Sequence, residues 1–369
     1  MKIVLIGGQE IPGIGGAEAY MLNLAKSLHA KGHDVTLICS ARKRGEFDLD
    51  GLSIVYIVCP KNNFIALPLL FFKSLVWIIK NRKDIDLVNY QSVIWAFFSG
   101  WISWLVGCKV LYTIHSLAED NLKYNKLVRL LIRVNTFLSI WLCGNNIFTV
   151  SDSKALEIKK RYGKSVSVIP CGVNKPNCEH TTDILERFGL KQNAYYLVIG
   201  RIDPIKNLDV LIKAFKKRKD KNFQLVIAGN YNNSYGEKLL ELAKDDDRIV
   251  FVGVVLGDDK DTLLQNCFVN CLVSSSEGMP ISLLEAMIYA KPCIVTDIQA
   301  IREVMDRENG YWCKVGDVDS LYSQMLRIEQ EQEEARALAE KMALYIKENY
   351  LWDKVAEKYI EHLKLLGCK

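Results

Sequence analysis

The chain lacks the spacings that announce a bound metal. None of its 11 cysteines forms a C-x-x-C pair. Cys267 and Cys271 lie four apart on an expected strand with no histidine close by, so buried, reduced thiols in a cytosolic protein are the expectation. A net charge of +5 is too mild an excess to argue for nucleic acid. That balance suits anionic small molecules or anionic lipid. No secretory leader is expected, because MKIVLIGG reads as a strand. Nor is any uncharged run apolar enough along its length to span a bilayer. The longest is Leu87 to Cys108, and its strongly apolar part, Val93 to Val106, falls short of the roughly 20 residues required. It reads as a buried helix in a soluble, cytoplasmic protein. Internal repeats and low-complexity segments are absent, and with half the residues apolar the composition excludes disorder.

What is present is alternation. Short apolar runs (KIVLIG, DVTLICS, SIVYIVC, DLVNYQ, KVLYTIH, NIFTVS; then YYLVIG, FQLVIAG, IVFVGVV, VNCLVSS, PCIVTD) alternate with helix-length amphipathic stretches. Nearly continuous apolar strands fit parallel sheets covered on both faces. Crossover-length helices between them predict an α/β fold of two Rossmann-like, doubly wound domains. A length of 369 residues suits two such domains. The Pro/Gly/Asn-rich segment 168–177 marks the boundary. From about Asp317 the chain is helical and charged, and Val355, Tyr359, Leu363 and Leu366 form a helical stripe near its end.

Two stretches carry chemistry. The first is GGQEIPGIGGAE, residues 7–18, between a strand and a helix. A dinucleotide loop would need a third glycine where Glu18 stands. A nucleoside-triphosphate loop would need Lys and a hydroxyl after Gly13, where Ile14 and Gly15 stand. What remains is either a long loop feeding a helix N-terminus at Gly15 and Gly16, able to receive an anion, or a mobile surface loop. The second is SSSEGMPISLLEAMIYAKPCIVTD, residues 274–297. A strand ends at Ser274, Glu277 and Gly278 turn, and Pro280 starts a helix buried through Leu283, Leu284 and Met287. Two carboxylates with seven residues between them, Glu277 and Glu285, suit a hydroxyl-rich ligand at the carboxyl end of a strand. Solvated carboxylates are the alternative, less attractive for Glu285 because its helix reads as mostly buried and an acid there needs partners. Upstream, Arg201 ends the strand YYLVIG and Lys206 precedes the next helix. They are either two surface cations or a clamp for a diphosphate.

These residues resemble the group 1 (family 4) retaining glycosyltransferases, which have the GT-B fold of two Rossmann-like domains facing across a cleft. The match runs through G-G-A-E at Gly15–Glu18, T-I-H at Thr113–His115, G-R-x-x-x-x-K at Gly200, Arg201 and Lys206, E-G-M-P-x-x-x-x-E-A-M at Glu277–Met287, and K-P at Lys291 and Pro292. The resemblance implies an acceptor-side domain over 1–170, a sugar-nucleotide domain over 171–345 and a C-terminal helix, 346–369, returning to the first domain. It implies that Arg201 and Lys206 hold the donor diphosphate and that Glu285 binds the ribose. Glu277, with Gly278 and Met279, would meet the donor sugar, His115 would sit near that sugar, and Gly15 and Gly16 would approach the phosphate. The chain departs from many relatives at Ser116, Ala290 and Ala300. The first bears on acceptor detail; the others read as packing changes.

The implied activity is retaining transfer of a hexosyl group from a nucleotide-diphosphate sugar to a glycan or polyprenyl-linked acceptor, in bacterial surface polysaccharide synthesis. Cations and helix N-termini at the leaving phosphate make metal unnecessary, so no cofactor or metal is expected. The strings Asp84–Asp86, Asp259–Asp261 and Asp317–Asp319 do not read as metal pairs. A carboxylate nucleophile would have to be Glu277, but same-face attack assisted by the leaving phosphate fits better. Five of the seven tryptophans lie between Trp77 and Trp141. In the stretch 122–143, Lys123, Lys126, Arg129 and Arg133 occupy about 120° of a helical wheel. That surface is either a peripheral membrane contact on anionic lipid or an ordinary solvated face. A nucleotide-sugar binding protein without transferase activity, or a GT-B-type epimerase, remains the alternative. The first should have lost Glu277, Arg201 or Lys206, and the second should carry further acid–base residues near the sugar.

Overall fold

A computed structural model describes residues 1–7, 16–41, 45–60, 63–92, 96–115, 117, 125–142, 146–177 and 182–367. The chain divides into two compact units, Met1–Gly172 with Trp352–Lys369, and Val173–Leu351.

The first unit holds β1 (Lys2–Ile6), β2 (Asp34–Ala41), β3 (Gly45–Leu49), β4 (Leu52–Val58), β5 (Leu87–Tyr90), β6 (Lys109–Ile114), β7 (Ile147–Thr149) and β8 (Ser167–Val168). They form one sheet in the order β3-β4-β2-β1-β5-β6-β7-β8. All pairs are parallel except β3 with β4, a hairpin closed by Asp50 and Gly51 at φ 54° and 81°. Positive φ at both central residues matches the twist a two-residue hairpin needs. Helices cover both faces, and Ile3 to Ile6 of β1 are fully buried, which is why that strand is apolar throughout.

The second unit holds β9 (Tyr195–Ile199), β10 (Gln224–Ala228), β11 (Ile249–Gly253), β12 (Val269–Leu272), β13 (Cys293–Thr296) and β14 (Tyr311–Cys313). Its sheet is all parallel in the order β11-β10-β9-β12-β13-β14. Discounting the β3 edge, both units run outward from their first strand in one direction and then reverse. Open α/β sheets bind ligands at such a reversal, beyond the carboxyl ends of the strands.

Three expectations change. The run Val93–Val106 is not a buried helix over its described part, 96–106; residues 93–95 lie outside the described residues. The helix there is Ala96–Leu105, and it is turned inside out: Ala96, Ser99 and Ser103 are buried, while Phe98, Trp101 and Trp104 are 60%, 56% and 61% exposed. The reason is local. Tyr90 and Tyr112 stack with centroids 5.7 Å apart beneath it, and Ser103 Oγ meets Tyr90 Oη at 3.0 Å. A Cβ on Gly100 would lie 1.7 Å from Tyr112 Oη, so only small residues fit this face. Second, the return to the first unit begins at Trp352, not near residue 346. The helix Gln332–Asn349 passes that point with Ile346 fully buried in the second unit's core. Third, Cys267 ends the helix Gly257–Asn266 and is not on a strand. The eight described cysteines are unpaired, and seven are buried.

The last helix, Trp352–Leu365, completes the first unit, with Val355, Tyr359 and Leu363 fully buried. Asn89 Nδ2 donates to Tyr359 Oη at 2.9 Å, and Thr113 Oγ1 donates to Asn89 Oδ1 at 3.1 Å. This network ties the helix to β5 and β6. Trp352 lies so close to Gly172 that a Cβ there would fall 2.5 Å from its ring.

Candidate functional site

In the second unit the reversal lies between β9 and β12. Gly200 follows β9 at φ 157°, and a Cβ on neighbouring Gly229 would fall 2.1 Å from Gly200 O. The two glycines let the backbone fold tightly over the strand ends. Residues Pro204–Lys206 make a single 3-10 turn, capped by Asp203 and closed by Asn207 in the left-handed region at φ 51°. Three bonds fasten this turn to the segment after β12, one of them from Ser275 Oγ to Ile205 O at 3.1 Å. Asn207 Nδ2 donates to Val273 O at 3.1 Å, and Ser275 N donates to Ile205 O at 2.8 Å.

That fastening brings Lys206 and Glu277 together across 71 residues of chain, Nζ to Oε1 at 2.6 Å. Their side chains are 18% and 11% exposed, so the pair is held in a partly desolvated recess. Arg201 is exposed at the end of the same strand. Gly278 and Met279 are half-buried in the turn that follows Glu277, and Pro280 stands one residue ahead of the helix Ile281–Ile288. Glu285 faces out of that helix's buried stripe and has the partner its surroundings demand. Lys260 Nζ donates to Glu285 Oε1 at 2.8 Å. No sequence signal singled out Lys260, which lies on the helix Gly257–Asn266 far from any motif. Each motif carboxylate thus carries its own ammonium partner.

In the first unit the reversal lies between β1 and β5. Gly7 follows β1 at φ 151°, Gln91 follows β5 and His115 follows β6. His115 Nε2 and Gln91 Oε1 are 2.9 Å apart, and the Tyr20 ring meets the imidazole edge-on at 4.8 Å between centroids. Burial pushes the His115 pKa down to about 4, so the ring is a neutral imidazole near pH 7. Gly16 is exposed at the start of the helix Gly16–Ala30. Gly15 and Ser116 lie outside the described residues.

The three Asp-x-Asp strings are used locally. Asp86 accepts from Lys2 N at 2.7 Å, Asp259 takes Arg187 in two bonds of 2.8 Å, and Asp317 caps a helix by accepting from Ser320 N at 2.9 Å. The basic helix is Lys126–Leu142, and it too is inverted. Asn135, Thr136 and Ser139 are buried, while Leu127 is 66% and Trp141 56% exposed. It packs against Ala96–Leu105, which packs in turn against Asn63–Asn81, where Phe72 is 65% exposed. None of these three helices contains an acidic residue. Among the described residues no helix is long and apolar enough to cross a membrane.

Residues 182–344 match the family model described as Glycosyl transferases group 1, and residues 14–175 match Glycosyltransferase Family 4. The chain is 24% identical to an uncharacterized glycosyltransferase of Methanocaldococcus jannaschii, over 99% of this chain and 98% of that one. It is 25% identical to the UDP-Gal:alpha-D-GlcNAc-diphosphoundecaprenol alpha-1,3-galactosyltransferase of Escherichia coli, over 89% of this chain and 88% of the relative. Among solved structures, a sucrose-phosphate synthase from Thermosynechococcus elongatus superposes with a TM-score of 0.79 at 19% identity, covering 99% of this chain and 98% of its own. That likeness is one of fold.

Proposed function

The chain belongs to the group 1 glycosyltransferases and is an enzyme of GT-B fold; from that premise we propose that it moves a sugar, with retention, from a nucleotide-diphosphate sugar to a glycan or polyprenyl-linked acceptor in surface polysaccharide synthesis. The observation that carries this reading is the Lys206–Glu277 pair at the β9/β12 reversal, with Arg201 on the same strand end. A diphosphate entering there gives Lys206 a doubly charged partner in place of Glu277. The freed carboxylate accepts hydrogen bonds from the sugar's hydroxyls. Glu285 takes the ribose hydroxyls with the oxygen that Lys260 leaves open.

In the transfer step the anomeric carbon–phosphate oxygen bond breaks, and a bond to the acceptor oxygen forms on the same face. The acceptor's proton passes to the departing phosphate. Arg201 and Lys206 offset the charge that builds there, an effect worth about 3–4 kcal/mol per well-placed donor. No metal is assigned a part in this step.

The lipid-linked acceptor is supported by the inverted helices. Globular helices bury their large apolar residues; Ala96–Leu105 and Lys126–Leu142 present most of theirs to solvent beside Lys126, Arg129 and Arg133. We assign this face to the cytoplasmic surface of an anionic membrane.

Two experiments test the reading. Thermal shift with uridine and guanosine diphosphate sugars should find a stabilising donor for the wild type and none for Glu285→Ala; full stabilisation of that variant removes the ribose assignment. In flotation, vesicles of anionic lipid should carry the wild type, and Trp101→Ser/Trp141→Ser should stay behind. A concentration-dependent dimer lost in the same variant would assign the face to a second protein copy instead.

A further inference from the structure

One buried group in the first unit has no use in the mechanism above. Gln91 is 6% exposed, and His115 occupies its Oε1, but its Nε2 is sealed from solvent with no hydrogen-bond partner among the described residues. Turning the amide over moves the orphan without removing it, because Oε1 is then stranded. A leucine would fill the same space without an unmet polar group, so the amide's presence needs a reason.

The neighbouring rung of the sheet supplies the comparison. Asn89 and Thr113 sit two residues earlier on β5 and β6, on the same face, and are bonded in the same manner. There the amide N–H2 is used, donated to Tyr359 Oη of the last helix. The lower rung is closed by a third partner, and the upper rung, at the carboxyl ends of the strands, lacks one. Its position is also fixed. Gln91 N donates to Ile6 O at 2.8 Å, and a Cβ on Gly7 would fall 2.8 Å from Gln91 Cβ. Glycine at 7 keeps that space for the glutamine side chain.

We infer that Gln91 is a substrate-binding residue whose amide N–H2 donates to a hydroxyl oxygen of the sugar, with His115 Nδ1 as the acceptor beside it. Gln91 Oε1 takes the Nε2 proton of His115 and so fixes the tautomer that leaves a lone pair on Nδ1. A neutral donor next to a neutral acceptor suits hydroxyls and gives no advantage to a phosphate. The inference rests on the glycosyltransferase reading.

Gln91→Leu tests it, with Asn89→Leu as the contrast, using the panel of uridine and guanosine diphosphate sugars and following release of nucleoside diphosphate. Gln91→Leu should melt at or above the wild-type temperature yet lose about tenfold or more in kcat/KM, whereas Asn89→Leu should melt lower. Turnover within twofold of wild type overturns the inference. So does a Gln91→Leu melting temperature that drops as far as that of Asn89→Leu, which would make the amide structural. If the wild type turns over no donor, the functional reading fails, and the pair is then judged by 15N spectra of the histidines at pH 7. His115 fixed with its proton on Nε2, and released from that state in Gln91→Leu, supports the pair. The same spectrum in both proteins overturns it.

Discussion

The two strand-order reversals share a backbone device and differ in chemistry. In each unit the first strand ends in a glycine near φ 150°, Gly7 at 151° and Gly200 at 157°. In each, the side chains that follow the next strands converge beyond the sheet. The first unit gathers neutral groups there, Gln91 and His115, and burial holds the imidazole uncharged. The second gathers charges: Arg201, and Lys206 against Glu277. On the proposed reading one fold type serves two kinds of recognition, hydroxyls in one unit and a diphosphate in the other, with the strand-end side chains making the difference.

The largest effect expected from this contrast is on turnover. Lys206→Ala should lower kcat for donor consumption by about 10²–10³-fold, the cost of removing a preorganised charge from the leaving group. His115→Asn should lower it by only about tenfold, the scale of a neutral hydrogen bond. Equal losses in steady-state kinetics would erase the distinction.

The next contrast is in pH. His115 titrates near 4 when folded and near 6.5 when unfolded, so the unfolded chain takes up the proton first. Stability present above pH 6.5 is lost as pH falls towards 4. His33, lowered by burial and by the N-terminal ammonium, adds to the same trend. In the second unit the shifted groups include Asp246 beside Arg248 and Asp297 beside Arg302, both held below the usual carboxylate range. Their contribution persists down to about pH 3.8 and is lost below it. Calorimetry between pH 7 and 4 should show the first unit's transition falling before the second's, with a shallower slope in His115→Asn.

The smallest effect is on stability at neutral pH. Gly229→Ala should cost roughly 1–3 kcal/mol, because its Cβ would meet Gly200 O at 2.1 Å and must displace backbone. Gly7→Ala meets Gln91 Cβ at 2.8 Å and is strained besides by its φ of 151°, so it should cost a comparable amount. Denaturant titration measures both.

Much of this was legible in the residues. Continuous apolar strands separated by helix-length segments specify doubly wound sheets, and Glu277, Lys206 and Arg201 are readable because their spacing places them at strand ends. Lys260 was not legible, since its bond to Glu285 depends on how two helices pack and not on any motif. Nor was Gln91, which looks like any loop glutamine until its unused amide is seen beside His115. β3 is short and polar, and only the Asp50-Gly51 turn hints at it. The helix Ala96–Leu105 departs from its expected burial for a physical reason: hydropathy counts apolar residues but cannot say which side the sheet will accept. The stacked Tyr90 and Tyr112 accept only small side chains, so the tryptophans go outward.

The last helix has a consequence for biosynthesis. Tyr359 and Leu363 belong to the first unit's core, yet a ribosome makes them after the whole of the second unit. The early part of the chain must wait, with Asn89 Nδ2 unsatisfied and an apolar trough uncovered, until the helix Trp352–Leu365 has been made. The second unit, continuous from Val173 to Leu351, can close on its own. During synthesis the order of completion is thus the reverse of the order of appearance, and the half-made first unit is where a chaperone would be needed.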